Sequence, residues 1–212
     1  MTPSPLAIAV LISGSGSNLQ ALLDSRGHGI DYVISLVVSD QSDATGLERA
    51  RQAGVATEVV SWSKFGSRSE FTEALCETAE ASGADAIILA GFMRILSPIA
   101  MDHFPDAIIN VHPALLPAFP GAHAVEAAIG HGVTLTGVTV HFVDEQVDHG
   151  PIILQEAVAV RPDDDAESLH ARIQSVEHRV LPEVVSAFSR GELTVQGRYV
   201  RWNLTPREAT IE

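Results

Sequence analysis

Leu6-Ala7-Ile8-Ala9-Val10-Leu11-Ile12-Ser13-Gly14-Ser15-Gly16-Ser17-Asn18-Leu19-Gln20 carries the reading of the fold. The apolar run Leu6 to Ile12 has the length of a strand buried on both faces. Glycines alternating with serines break that run, and apolar residues at helical spacing resume from Asn18 to Leu23. Backbone N–H groups at such a strand-to-helix turn can receive a phosphate at the helix N-terminus. Position 19 is Leu rather than the third glycine of a dinucleotide fingerprint, and no Gly-Lys-Ser/Thr completes a Walker pattern. A phosphate on a small metabolite is the favoured ligand, with a plain glycine-rich turn as the alternative.

Strand and helix keep alternating outward from this segment. Val33 to Val38, Val55 to Val60 and Asp85 to Ala90 read as strands, and Ala44 to Ala53 and Ser69 to Ser82 as helices. Ile108 to Val111 is the next strand. Such alternation predicts an α/β fold, a Rossmann-like, mainly parallel sheet flanked by helices. After Pro117 the rhythm changes. A short helix, Ala124 to Ile129, precedes two longer β runs, Thr134 to Val143 and Ile152 to Val160. Joined by an acidic loop, they form an antiparallel pair and make the sheet mixed. Asp163-Asp164-Asp165 then opens a long helix, Ala166 to Arg190, which Pro182 kinks or divides. No linker or repeat divides the chain, so 1–212 reads as a single domain with a flexible tail at about 205–212.

The next informative stretch is Asn110-Val111-His112-Pro113-Ala114-Leu115-Leu116-Pro117. Alternate residues of a strand share a face, so Asn110 and His112 point into one pocket. Pro113 biases His112 away from helical geometry. An amide donor beside an imidazole suits an oxygen that becomes negative during attack on a carbonyl. The alternative is an Asn-x-His that merely ends a strand. Asp148, constrained against Gly150-Pro151, supplies a third group able to orient the imidazole and favour its protonated form. Asp144 and Glu145 read as solvated loop acids.

Composition bounds the rest. The formal charge of −14 argues against nucleic acid as a partner, because that affinity depends on neutralising phosphates with Lys and Arg. No apolar run approaches the roughly 20 residues of a membrane span. Met1-Thr2-Pro3-Ser4-Pro5 lacks the features of a signal peptide. The single cysteine, Cys76, fits a reducing, cytoplasmic setting and reads as core. No Cys/His cluster has zinc-ligand spacing, so no metal is expected. His123 and His141 are open candidates for the polar pocket.

Five segments in order resemble the phosphoribosylglycinamide formyltransferases, a folate-dependent formyltransferase family. They are Ile12 to Gln20, Gly46-Leu47-Glu48-Arg49-Ala50, Leu89 to Ser97, Asn110 to Pro117, and Asp148 to Leu154. The resemblance runs from Leu6 to about Trp202. It implies the formyltransferase fold and transfer of a formyl group from 10-formyltetrahydrofolate to the amine of 5-phosphoribosylglycinamide in de novo purine biosynthesis. It also implies direct attack through a tetrahedral oxyanion, with Asn110, His112 and Asp148 catalytic. Gly16, Ser17, Asn18 and Glu177 would hold the ribonucleotide. Arg68, Met93, Arg94, Ile95, Leu96, Asn110, and the loop Asp144, Glu145, Gln146, Val147 and Asp148 would hold the folate. Arg94 pairing with a surface acid, Met93, Ile95 and Leu96 as core, and Glu177 in a salt bridge are the competing assignments. Ala114 stands where family members often have Ser, and His149 at a position that varies. Partners are small molecules, with a homodimer left open.

Two related activities and one unrelated one compete. Formyltetrahydrofolate hydrolysis would reuse Asn110, His112 and Asp148, but that family carries an additional N-terminal domain. Methionyl-tRNA formyltransferase has an extra C-terminal domain and suits this negative charge poorly. A nucleotide-binding regulatory module would use only the Ser13 to Asn18 loop.

Overall fold

A computed structural model describes residues 5–26 and 32–203. The predicted tail at about 205–212 lies outside these. The chain order is β1 (Leu6–Ile12), α1 (Ser17–Asp24), β2 (Tyr32–Ser39), α2 (Thr45–Gln52), β3 (Thr57–Val59), α3 (Arg68–Ala81) and β4 (Ala86–Leu89). Then come α4 (Ile99–His103), β5 (Ile108–His112), α5 (Ala124–Gly130), β6 (Leu135–Phe142), β7 (Ile152–Ala159), α6 (Ala166–Ser189), β8 (Leu193–Gln196) and β9 (Tyr199–Trp202). They build a mixed sheet in the order β3-β2-β1-β4-β5-β6-β7-β9-β8. The half from β3 to β5 is parallel, and β6 runs antiparallel to both β5 and β7.

The alternation of β1 explains why helices cover both faces. Ile8, Val10 and Ile12 pack with Leu19 and Leu22 of α1, Leu47 of α2 and Val180 and Leu181 of α6. Ala9 and Leu11 point the other way, into Phe71, Leu75 and Cys76 of α3 and Phe104. Each face therefore has its own apolar cluster, as period-two side chains require.

Several expected boundaries moved. The strand expected from Val55 begins at Thr57, because the Val55 N–H closes the end of α2 on the Ala50 carbonyl at 2.9 Å. β5 extends through His112, one residue beyond the expected Val111. Pro182 does not divide α6, which runs unbroken from Ala166 to Ser189. It lacks the N–H that would reach back one turn. The helix is instead held by its buried face, Val180, Leu181, Val184 and Val185, and by the Asp165–Ser168 capping box. The β8–β9 hairpin and α4 were not expected. Both are short, and β8 and β9 are only half covered, which leaves a weak pattern.

Candidate active site

β1 is followed by a connection to β2 on one side of it, whereas β4, on its other side, leads towards β5. Where neighbouring parallel strands send their loops apart, a crevice opens beyond their C-terminal ends. Ser13 joins the two loops that flank it. Its N–H donates to the Gly91 carbonyl at 3.1 Å, and its Oγ accepts from the Met93 N–H at 2.8 Å.

On the β1 side, Gly16 takes φ +68° as the residue that caps α1. Among the described residues, the N–H groups of Ser15, Gly16, Ser17 and Asn18 meet no acceptor. Asn18 is buried and donates its Nδ2 to Glu177 Oε2 of α6 at 3.0 Å. Burial pushes the Glu177 carboxyl up from its ordinary range, and the Asn18 bond only partly opposes this. The competing salt-bridge role for Glu177 is thus replaced by a buried bond to the phosphate-loop candidate.

On the β5 side, Asn110, His112 and Asp148 meet. Asn110 Nδ2 donates to Asp148 Oδ1 at 3.3 Å, and His112 Nδ1 lies 3.3 Å from Asp148 Oδ2. The Gly121 N–H donates to the same Oδ2 at 2.7 Å. Asp148 adopts φ +49°, a left-handed conformation that residues with a side chain take rarely and Asp more readily than most. Gly150 makes this turn possible, since a Cβ there would lie 1.9 Å from the Phe142 carbonyl oxygen.

His141 completes the group. It pairs directly with Asn110 across the β5–β6 ladder, and its Nε2 lies 3.2 Å from Asn110 Nδ2 and 3.7 Å from Asp148 Oδ1. His141 Nδ1 donates to the Phe142 carbonyl at 2.8 Å, which turns Nε2 towards Asn110 and Asp148. The antiparallel register was the missing signal. His123 stands at the start of α5 and enters none of these contacts.

One electrostatic expectation is corrected. Asp148 was expected to keep His112 protonated near neutrality, but the His112 pKa lies below its ordinary value. Burial is the dominant cause, and it exceeds the opposing pull of Asp148 and the Phe119 carbonyl; His141 adds to the lowering. The Phe119 oxygen is 2.8 Å from His112 Nε2, a contact the sequence did not reveal. Burial pushes Asp148 up, yet His141, the Gly121 amide and His112 outweigh it and hold the carboxyl below its usual range. The group therefore combines a carboxyl whose ionised form is favoured with an imidazole whose protonated form is resisted by burial.

The folate candidates separate by environment. Met93 is 65% and Ile95 52% exposed, so they are not core, whereas Leu96 packs partly against the α3 cluster. Arg94 does pair with an acid, but a buried one: its Nε donates to Asp40 Oδ2 at 2.7 Å, and its guanidinium lies over the Trp62 ring. Glu145, Gln146 and Val147 are exposed in the loop, and Asp144 turns to His149 at 2.7 Å and to the Gln146 N–H. His149 is therefore engaged away from Asp148. Ala114 is fully buried, and Thr139 Oγ1 donates to its carbonyl at 2.7 Å. Arg68 opens α3 as an exposed residue outside all of these contacts.

The chain is similar to known proteins over most of its length. Residues 6–185 match the formyl transferase family. Phosphoribosylglycinamide formyltransferase of Escherichia coli is 44% identical over 187 residues, 88% of each chain. The Haemophilus influenzae protein of the same name is 40% identical over 190 residues, covering 89% of this chain and 90% of its own. Among solved structures, glycinamide ribonucleotide transformylase 1 of Symbiobacterium toebii superposes with a TM-score of 0.92 at 48% identity, covering 95% of both chains.

Proposed function

The chain belongs to the formyl transferase family and is a formyl-transferring enzyme of purine biosynthesis; we propose that it draws the group from 10-formyltetrahydrofolate and delivers it to the amine of 5-phosphoribosylglycinamide. The observation that carries the mechanism is the Asp148 carboxylate, in reach of both Asn110 and His112. The phosphate-binding candidates on the neighbouring loop would hold the acceptor, with Gly16, Ser17 and Asn18 at its phosphate and Glu177 beyond.

Attack by the neutral amine places negative charge on the formyl oxygen and positive charge on the nitrogen. Asn110 turns to that oxygen the Nδ2–H that Asp148 holds in the free enzyme. His112 joins it by exchanging the Phe119 carbonyl, its uncharged partner, for the oxyanion. Because Nε2 exchanges an uncharged carbonyl for an oxygen that is gaining negative charge, the interaction strengthens towards the transition state. Ionised Asp148 orients His112 and, through a water, takes the proton from the new ammonium and returns it to the leaving nitrogen. The bond from carbon to that nitrogen then breaks, leaving a formamide on the acceptor.

The residues present fit a folate. Exposed Met93, Ile95 and Val147 form apolar surface that a ring system would cover, and the Asp144 to Asp148 loop offers polar groups beside it. Arg68, exposed at the start of α3, would supply positive charge for an acidic tail, whereas Arg94 is already held by Asp40. The lone, buried Cys76 supports a cytoplasmic setting.

Incubation with 10-formyltetrahydrofolate, with and without the acceptor, tests the assignment. Acceptor-dependent release of tetrahydrofolate is expected. Release at the same rate without acceptor would instead identify a hydrolase, and no release would identify a binding module.

A further inference from the structure

The Gly46-Leu47-Glu48-Arg49-Ala50 segment forms part of α2, which lies behind the Ser13–Asn18 loop. The Gly46 N–H donates to the Gly14 carbonyl at 3.0 Å. Arg49 Nε donates to the next carbonyl, that of Ser15, at 2.9 Å. Its Nη1 is braced by Gln20 Oε1 of α1 at 3.2 Å. The approach is too close for side chains: a Cβ on Gly16 would lie 2.6 Å from Gly46 Cα, and one on Gly46 2.5 Å from Ile12 Cδ1.

In a planar trans peptide, the C=O and the following N–H point in opposite directions. Drawing the Gly14 oxygen towards α2 therefore turns the Ser15 N–H away from it. Drawing the Ser15 oxygen back does the same to the Gly16 N–H. Successive N–H groups turned one way make an anion-binding concavity, here continuous with the first N–H groups of α1. A flip of either peptide would put a partly negative carbonyl oxygen in the same place.

We propose that Gly46 and Arg49 are positioning residues for the acceptor's phosphate, because they hold two successive loop carbonyls back and so aim the Ser15 and Gly16 amides at the anion. Arg49 acts from behind the loop. Lys cannot replace it fully, since one ammonium does not reproduce the planar fork that spans Ser15 and Gln20. The inference rests on the reading of this loop as the phosphate site.

Steady-state kinetics of the full chain, Arg49→Met and Arg49→Lys test it with two acceptors, phosphoribosylglycinamide and the same glycinamide riboside without phosphate. Arg49→Met should raise KM for the phosphorylated acceptor about 10–100-fold, the scale of a charge-assisted hydrogen bond. Its kcat and its KM for the folate donor should stay within about twofold, and its penalty should vanish with the phosphate-free acceptor. Arg49→Lys should fall between the parent and Arg49→Met, and it carries the test if thermal melting shows that Arg49→Met does not fold. Unchanged KM in a folded variant overturns the positioning role, and so does an equal loss on both acceptors. If the parent enzyme itself does not distinguish the two acceptors, the phosphate-site reading fails instead.

Discussion

Asn18 and Glu177, 159 positions apart in sequence, share a buried 3.0 Å hydrogen bond that joins the first helix to the last. It ties the ribonucleotide candidates into one unit. It also leaves Asn18 Oδ1 buried without a partner, beside a carboxylate whose charge is disfavoured by burial.

Glu177→Gln should therefore stabilise the free protein while weakening ribonucleotide binding. The Glu177 pKa is raised in the folded state, so the fold binds that proton more tightly than the unfolded chain does. Its favourable contribution is full below the unfolded value, about 4.3, and is lost as pH rises through the folded value. The melting-temperature gain of the variant should thus grow between pH 4.5 and 7. The new amide can also donate to Asn18 Oδ1, worth about 1 kcal/mol. A gain that does not increase with pH would contradict this account.

Asp148→Asn should fold and bind both substrates, yet lose about 10²–10⁴-fold in the single-turnover rate. Because Asp148 raises the His112 pKa against the effect of burial, removing its charge should lower the His112 titration further. NMR of the imidazole would show a midpoint below 6.5 in the parent and a lower one in the variant. Turnover near the parent rate in a folded variant would reject the assigned role.

Asn18→Ala and His112→Ala should separate binding from chemistry. The first should weaken ribonucleotide affinity more than folate affinity. The second should mainly slow the chemical step, by about 10²–10³-fold. Separate titration of the two ligands and rapid-quench rates distinguish them. Loss of folate affinity alone in Asn18→Ala would reverse the proposed orientation of the substrates.

Gly150→Ala tests how the Asp148 turn is held. Its Cβ would meet the Phe142 carbonyl oxygen at 1.9 Å, so the β6–β7 connection must shift. A loss of about 1–3 kcal/mol in urea denaturation is expected, together with reduced kcat. Parent-like stability and turnover would show that the loop relaxes without moving Asp148.

Cys76 should resist thiol reagents in the native protein. Burial, reinforced by Glu80 and Glu73, pushes its pKa up to about 12, so little thiolate exists at neutral pH. Rapid labelling by a disulfide reagent in urea and slow labelling without it is the expected pattern.

The sequence by itself determined the parallel half of the sheet, because apolar runs of strand length and helical spacing are local properties of the chain. It also placed Asn110 and His112 on one face, through the period of two, and marked Ser13 to Asn18 as a strand-to-helix turn. The tertiary structure alone decided which distant groups these residues meet. His141 reaches Asn110 through antiparallel register, and Glu177 reaches Asn18 because α6 packs on α1. The Phe119 carbonyl reaches His112 through an irregular loop without periodicity. The charge of His112 belongs to this second class. A neighbouring acid can be guessed from a motif, but the burial that outweighs it exists only once the chain has closed around the ring.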